Sequence, residues 1–102
     1  MSTNQSISLL QEMAIFVKVV ETGSFSETAR QLGNTPSAIS RAISRLERAL
    51  GTRLLQRTTR KLRLSESGTQ VYAYCLEMVN AAQAVIDNSG KFNSGWCFKK
   101  YA

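Results

Sequence analysis

Histidine is absent from this chain, and acidic residues, proline and cysteine are few. The missing histidines remove the side chain that most often serves as a general base or as a transition-metal ligand. The two cysteines, Cys75 and Cys97, have no second pair, which fits neither a disulfide framework nor a zinc pattern and is typical of a reducing cytosol. The sequence also lacks a glycine-rich phosphate loop and a close carboxylate pair. We therefore expect a protein that is not an enzyme and holds no metal or cofactor.

Long hydrophobic runs are missing as well. The most apolar stretch near the start, residues 13–20, is interrupted by Lys18 and is too short to span a membrane. No signal-peptidase-like site follows it. A chain of 102 residues is one domain by the usual prior, and we expect it to be cytoplasmic with no membrane partner.

Negative charge is scarce where positive charge is dense. The chain carries a net charge of +6. Residues 41–63 hold eight cations and one anion, Glu47, for a net +7, whereas the rest of the chain has five cations and six anions, for a net −1. Such concentration favours a surface that binds a polyanion. A solvated charged face is the alternative that charge alone leaves open.

Helical spacing of apolar residues predicts two helices in the first third of the chain. The first covers residues 7–22, after a loose polar start, and ends at Gly23. Ser24 and Glu27 have the spacing of a capping box. They predict a short second helix that runs through Leu32.

The third predicted helix, residues 35–50, has opposite faces of different chemistry. Thr35 is a good N-cap, Pro36 suits the first helical position, and Gly51 ends the helix. One face is apolar: Ile39, Ala42, Ile43, Leu46 and Leu50. The other carries hydroxyls and guanidiniums: Ser37, Ser40, Arg41, Ser44, Arg45 and Arg48. A major groove accepts a helix of this kind, and arginine binds guanine or phosphate there. An ordinary solvated helix face is the alternative.

A two-stranded wing is predicted after this helix. Residues 53–64 alternate in their second half and place Thr58, Thr59 and Arg60 near the tip. Two helices joined by a tight glycine-containing turn, the second of them basic, form a helix-turn-helix. The predicted fold is therefore mainly α: a winged helix-turn-helix with a three-helix core and a two-stranded wing in residues 1–64.

A long helix is predicted over residues 65–88, with Ser65 as its N-cap. Its apolar positions recur with the spacing of a coiled-coil seam, and Val79 lies beside them: Val71, Cys75, Met78, Ala82 and Val85. We interpret it as a linker helix that joins two copies of the chain in a homodimer, with Cys75 a small buried seam residue. A fourth helix folded onto its own domain is the alternative.

The segment from Phe16 to Gly68 resembles the N-terminal DNA-binding domain of LysR-type transcriptional regulators. The resemblance rests on an ordered series of motifs: G-S-F, A-x-x-L, S-A-I-S, I-x-x-L-E, L-G, R-L-L-Q-R-T-T-R and L-S-E-S-G. It implies a winged helix-turn-helix that dimerises through the linker helix. It also implies a bacterial, nucleoid-associated protein that binds double-stranded DNA at an interrupted palindrome.

The resemblance implies DNA contacts at the start of the third helix and on the wing. The residues at those positions are Pro36, Ser37, Ser40, Arg41 and Arg60, with Thr35, Ala38 and Arg45 as neighbours. We expect Ser40 and Arg41 to contact base edges and Arg60 to enter the minor groove. We expect phosphate contacts from Arg53, Arg57 and Lys61.

This sequence departs from the family pattern in three places. Pro36 stands where many members have glutamine, which predicts weaker and more apolar base reading there. Leu55 stands where the family often has phenylalanine, in the core. The sequence stops at Ala102, where members continue into an effector-sensing domain, and residues 89–102 lack helical periodicity. We expect an irregular tail there and no small-molecule effector for this chain.

Sequence-specific DNA binding is thus the predicted function. One alternative is a truncated regulator that forms impaired heterodimers with a full-length relative. The other is a non-specific architectural DNA binder. Preference for a palindromic site over random duplex separates the last from a sequence-specific reader.

Overall fold

The structure, a computed structural model, describes residues 3–57 and 62–89. Four helices and a two-stranded antiparallel sheet follow in the order α1 (Thr3–Thr22), α2 (Phe25–Leu32), α3 (Pro36–Leu50), β1 (Leu55–Arg57), β2 (Leu62–Leu64) and α4 (Glu66–Asp87). The mainly α, winged helix-turn-helix fold predicted from the sequence is confirmed. The first helix begins at Thr3 and not at residue 7, since its polar start contains neither glycine nor proline and continues the helix.

The core lies where α1, α2 and α3 meet. Phe16 and Val19 of α1 are fully buried, as are Ile39 and Leu46 of α3. The apolar face predicted for α3 therefore lies against the other helices. This leaves its serine and arginine face to the outside.

The turn between α1 and α2 is held by hydroxyl groups. Ser24 caps α2 by accepting a hydrogen bond from the Glu27 N–H at 3.1 Å. The reciprocal bond of a capping box is absent, because the Ser24 N–H donates to the Thr22 hydroxyl at 3.2 Å. The Glu27 carboxylate instead accepts hydrogen bonds from Arg30 and Gln31, and the Arg30 guanidinium lowers the pKa of Glu27. The predicted capping box is thus only half formed.

The wing is short and joins α4 directly. Leu55 pairs with Leu64, and Gln56 with Arg63. Leu54 and Leu55 at its base are buried, as was expected of Leu55 in the core.

A single residue, Ser65, connects the wing to α4 and binds both sides of the joint. Its N–H donates to the Leu54 carbonyl at 2.9 Å and its hydroxyl donates to the Arg53 carbonyl at 2.5 Å. The same hydroxyl caps α4 by accepting from the Gly68 N–H at 2.9 Å. A Cβ atom at Gly68 would lie 2.1 Å from the Leu54 carbonyl oxygen, so only glycine lets α4 approach this closely.

Candidate nucleic-acid interface

The outer face of α3 carries hydroxyls and uncompensated positive charge. Ser37, Arg41, Ser44 and Arg48 are exposed, and Ser40 is half-buried among them. Within residues 3–57 and 62–89, neither Arg41 nor Arg48 forms an ion pair. The predicted grouping of these side chains on one face is confirmed, except for the direction of Arg45 described below.

The start of α3 adds the hydroxyl of Thr35 to this face. The turn before it uses Gly33 in the left-handed conformation, with φ 64°. Thr35 then caps the helix by accepting from the Ala38 N–H at 3.2 Å, and Pro36 occupies the first turn. The hydroxyls of Thr35 and Ser37 lie 3.3 Å apart on the exposed surface. The hydroxyls of Thr35 and Ser37 therefore form one polar patch at this helix end, on either side of Pro36 in the sequence.

The carboxylate of Glu47 forms no ion pair with the arginines of α3, because it binds backbone amides at the base of the wing. Its Oε2 atom accepts hydrogen bonds from the backbone N–H groups of Leu54 and Leu55 at 2.8 and 3.2 Å. The only anion among residues 41–63 thus fixes the base of the wing. Sequence reasoning counted this charge but missed its role, since nothing in the local pattern shows which amides a carboxylate accepts from.

A polar cleft of about 320 Å³ lies between α3 and the wing base, beside the hydrogen bonds of Glu47. Ser40 and Ser44 line one side, and Arg53 lines the other. The exposed side chain of Arg53 is thereby placed next to the hydroxyl side of α3. Arg63 is exposed on β2, between two half-buried leucines.

Three further DNA contacts were predicted on the wing. Residues 58–61, which include Arg60 and Lys61, lie outside the described residues, as does the side chain of Arg57. Their DNA contacts stay predictions of the sequence.

Arg45 makes a contact that the sequence did not predict. Its Nε and one terminal nitrogen donate to Oε2 of Glu12 on α1, at 3.3 and 3.2 Å. The guanidinium therefore lies towards α1, while the side chain as a whole stays 56% exposed. The sequence gives no signal for this pair, because the two residues are 33 positions apart.

The two halves of α4 are used differently. In the first half, Cys75 is 4% exposed within its own chain and Val71 packs against the core, as does Val79 just beyond the middle of the helix. Tyr72 meets Phe16 of α1 edge to face, with ring centroids 6.3 Å apart. Burial raises the pKa of the Cys75 thiol. The sequence placed Cys75 in a seam between two chains, whereas the structure buries it within its own chain, because the seam spacing also suits packing within one chain.

The second half of α4 leaves apolar side chains exposed. Ala82 is exposed, Val85 is 60% exposed and Ile86 is 64% exposed. An open apolar groove of about 370 Å³ runs between this half and α1, lined in part by Leu10, Met78, Val79, Ala82 and Ile86. Tyr74, 75% exposed, was not among the predicted interface residues.

Two further observations concern possible ligands and membranes. Among residues 3–57 and 62–89, no cluster of three or more potential metal-ligating side chains occurs. None of the helices there combines the length and apolarity that crossing a bilayer requires.

This arrangement of helices and wing defines a winged helix-turn-helix protein. Residues 10–69 match the family model of bacterial regulatory helix-turn-helix proteins of the lysR family. The chain belongs to this family of transcriptional regulators and carries its helix-turn-helix DNA-binding domain.

Individual relatives agree with the family assignment. The chain is 53% identical over 85 residues to the probable transcriptional regulator LtrA of Klebsiella pneumoniae, covering 83% of this chain and 28% of LtrA. The DNA-binding domain of BenM, solved in complex with benA site 1 DNA, superposes with a TM-score of 0.74 at 30% identity, covering 84% of this chain and 97% of that one. The CbnR DNA-binding domain in complex with DNA gives a TM-score of 0.69 at 26% identity, covering 80% and 94% of the two chains. The chain spans about a quarter of the length of the curated relatives it matches.

Proposed function

We propose that this chain binds double-stranded DNA sequence-specifically by placing α3 in the major groove. The observation that carries the proposal is the outer face of α3, where serines and uncompensated arginines stand together while the neighbouring acid, Glu47, is engaged by the wing base. An α-helix of this kind fits the major groove, where arginine binds guanine in a bidentate manner. The structures of BenM and CbnR domains with DNA support the same use of the fold.

The side chains divide by position into base-reading and phosphate-binding groups. Ser37, Ser40 and Arg41 lie along the first turns of α3 and would read base edges. Pro36 offers only apolar contact there. Arg48 and Arg53 stand further along the surface and would bind phosphates, which fix orientation without reading sequence. From the sequence we add Arg57, Arg60 and Lys61 of the wing.

We further propose that two copies pair through the exposed half of α4. The apolar side chains of Val85 and Ile86, together with the groove beside α1, form a surface that a second copy would cover. Two-fold symmetry would set the two α3 helices about 34 Å apart, one turn of DNA, and would match an interrupted palindrome. Such a regulator would act in the bacterial cytoplasm, at the nucleoid.

The test starts from sites selected out of a random duplex library by the wild-type chain. Arg41→Ala should weaken binding to the selected site by about 1–3 kcal/mol and reduce its preference over random duplex, because a base contact is lost. Arg30→Ala is the matched control, since this arginine lies on α2 and is paired with Glu27. Affinities are measured by fluorescence anisotropy at one fixed salt concentration.

Two results would contradict the proposal. If Arg41→Ala binds the selected site as well as the wild type does, α3 is not the reading helix. If the wild type yields no enriched site and binds all duplexes equally, the chain is a non-specific architectural binder.

A further inference from the structure

Glu12 and Arg45 form an ion pair that ties α1 to the recognition helix α3. Two nitrogens of Arg45 donate to the same carboxylate oxygen, at 3.2 and 3.3 Å. The partners differ in environment: the side chain of Glu12 is 12% exposed, whereas that of Arg45 is 56% exposed. A largely buried anion therefore holds a cation that reaches the surface.

Arg45 stands at the edge of the proposed DNA-binding face. It follows Arg41 by one turn and lies about 40° further around the helix, on the side of α1. Residues at the edges of a helix in the major groove face the phosphates that border the groove. Without Glu12, the long side chain of Arg45 would have a phosphate within reach.

Burial makes the pair difficult to exchange for a phosphate. Among the described residues, the second oxygen of Glu12, Oε1, is buried without a hydrogen-bond partner. If Arg45 moved to the DNA, the carboxylate would lose its cation as well, and an uncompensated buried charge costs more than an exposed phosphate contact returns. The pair should consequently stay closed when DNA binds.

We propose that Glu12 is a specificity-determining residue because it withholds Arg45 from the DNA backbone. Phosphate contacts supply affinity for any duplex and carry no sequence information. With Arg45 held by Glu12, one cation fewer contacts phosphate, and the affinity for random DNA is lower. The base contacts of Ser40 and Arg41 are kept. This inference rests on the proposed function of α3.

The test compares variants with an uncharged side chain at position 12, at position 45 or at both, on random and selected duplexes over a range of salt concentrations. Glu12→Gln retains size and a hydrogen-bond acceptor but frees the charge of Arg45. It should bind random duplex about fivefold more tightly at 0.15 M salt, and its log–log salt slope should steepen by about 0.9, the value of one added phosphate contact. The double variant E12Q/R45Q should return both quantities to within about twofold and about 0.3 of wild type, margins well below the effect of one contact.

Circular dichroism melting first establishes that each variant is folded at the assay temperature. Glu12→Met is a second charge-removing variant should Glu12→Gln prove unfolded, and it should give the same steeper slope. Arg45→Gln alone should leave the slope unchanged, since Arg45 is not on a phosphate in the wild type.

Three outcomes would overturn the inference. The affinity of Glu12→Gln for random duplex could equal that of wild type, the double variant could keep the raised affinity, or Arg45→Gln alone could flatten the slope by about one contact. Failure of the wild-type chain to bind any duplex would instead contradict the proposed function itself.

Discussion

The two halves of α4 share one apolar spacing but differ in what covers them. The first half, around Val71 and Cys75, packs against α1 and the wing base, and Gly68 brings it into contact with Leu54. The second half, around Val85 and Ile86, is exposed. The same spacing thus serves the fold of one chain in the first half and leaves apolar side chains exposed in the second. Spacing alone identifies a helix that must be covered, but not the molecule that covers it.

The largest expected effect on stability comes from Gly68, where the first half of α4 packs against Leu54. Gly68→Ala should lower the free energy of unfolding by about 3 kcal/mol, at the upper end for overpacking, because its Cβ would overlap a backbone carbonyl that cannot move aside easily. Urea unfolding followed by circular dichroism measures the loss. Gln70→Ala is the control, because Gln70 is exposed and lies two residues after Gly68 in the same helix. Its stability should stay within about 0.5 kcal/mol of wild type. Equal stability of the Gly68 variant and this control would show that α4 is not seated as described.

A matched pair of valine substitutions tests the comparison directly. Val71→Ala should lower the free energy of unfolding by about 1 kcal/mol, since it removes packed methyl groups, whereas Val85→Ala should leave the folding of the single chain unchanged. Val85→Ala should instead weaken the proposed dimer about tenfold, because two copies of the side chain leave the interface. Unfolding at low concentration and sedimentation velocity over a concentration series measure the two effects. If both variants lose folding stability equally, the two halves of α4 do not differ.

The smallest effect concerns Cys75, whose thiol pKa is raised from its ordinary value of 9.0 by burial. Above that pH the unfolded chain forms the thiolate while the folded chain keeps the thiol. Unfolding is therefore favoured, and stability falls as the pH rises towards the folded pKa. Between pH 8 and 10 the wild type should lose up to about 1 kcal/mol relative to Cys75→Ala. Parallel stability curves for the two proteins over this range would contradict the burial of Cys75.

Local sequence patterns were sufficient for most of the fold. The caps at Ser24, Thr35 and Ser65 depend on neighbouring residues alone, and the structure has the expected hydrogen bond at each. The apolar face of α3 was equally predictable, because helical periodicity fixes which residues point together.

Long-range contacts of charged side chains were beyond the reach of such patterns. Glu47 on the Leu54 amide and Glu12 on Arg45 join residues that are far apart along the chain or separated by a turn. Their partners depend on how the elements pack, which periodicity does not specify. For this reason the sequence grouped Arg45 with Arg41 but did not predict that Arg45 pairs with Glu12.

The joint at Ser65 has a consequence for how far apart two recognition helices could sit. Because only one residue lies between Leu64 and Glu66, the direction of the wing determines the direction of α4. A helix of this length extends about 33 Å, so a tilt of about 10° at the joint would displace its far end by about 6 Å. That is nearly two base-pair steps of DNA at about 3.4 Å each. If two copies pair, a small change in the angle at Ser65 would therefore change the distance between their half-sites on DNA by about one to two base pairs.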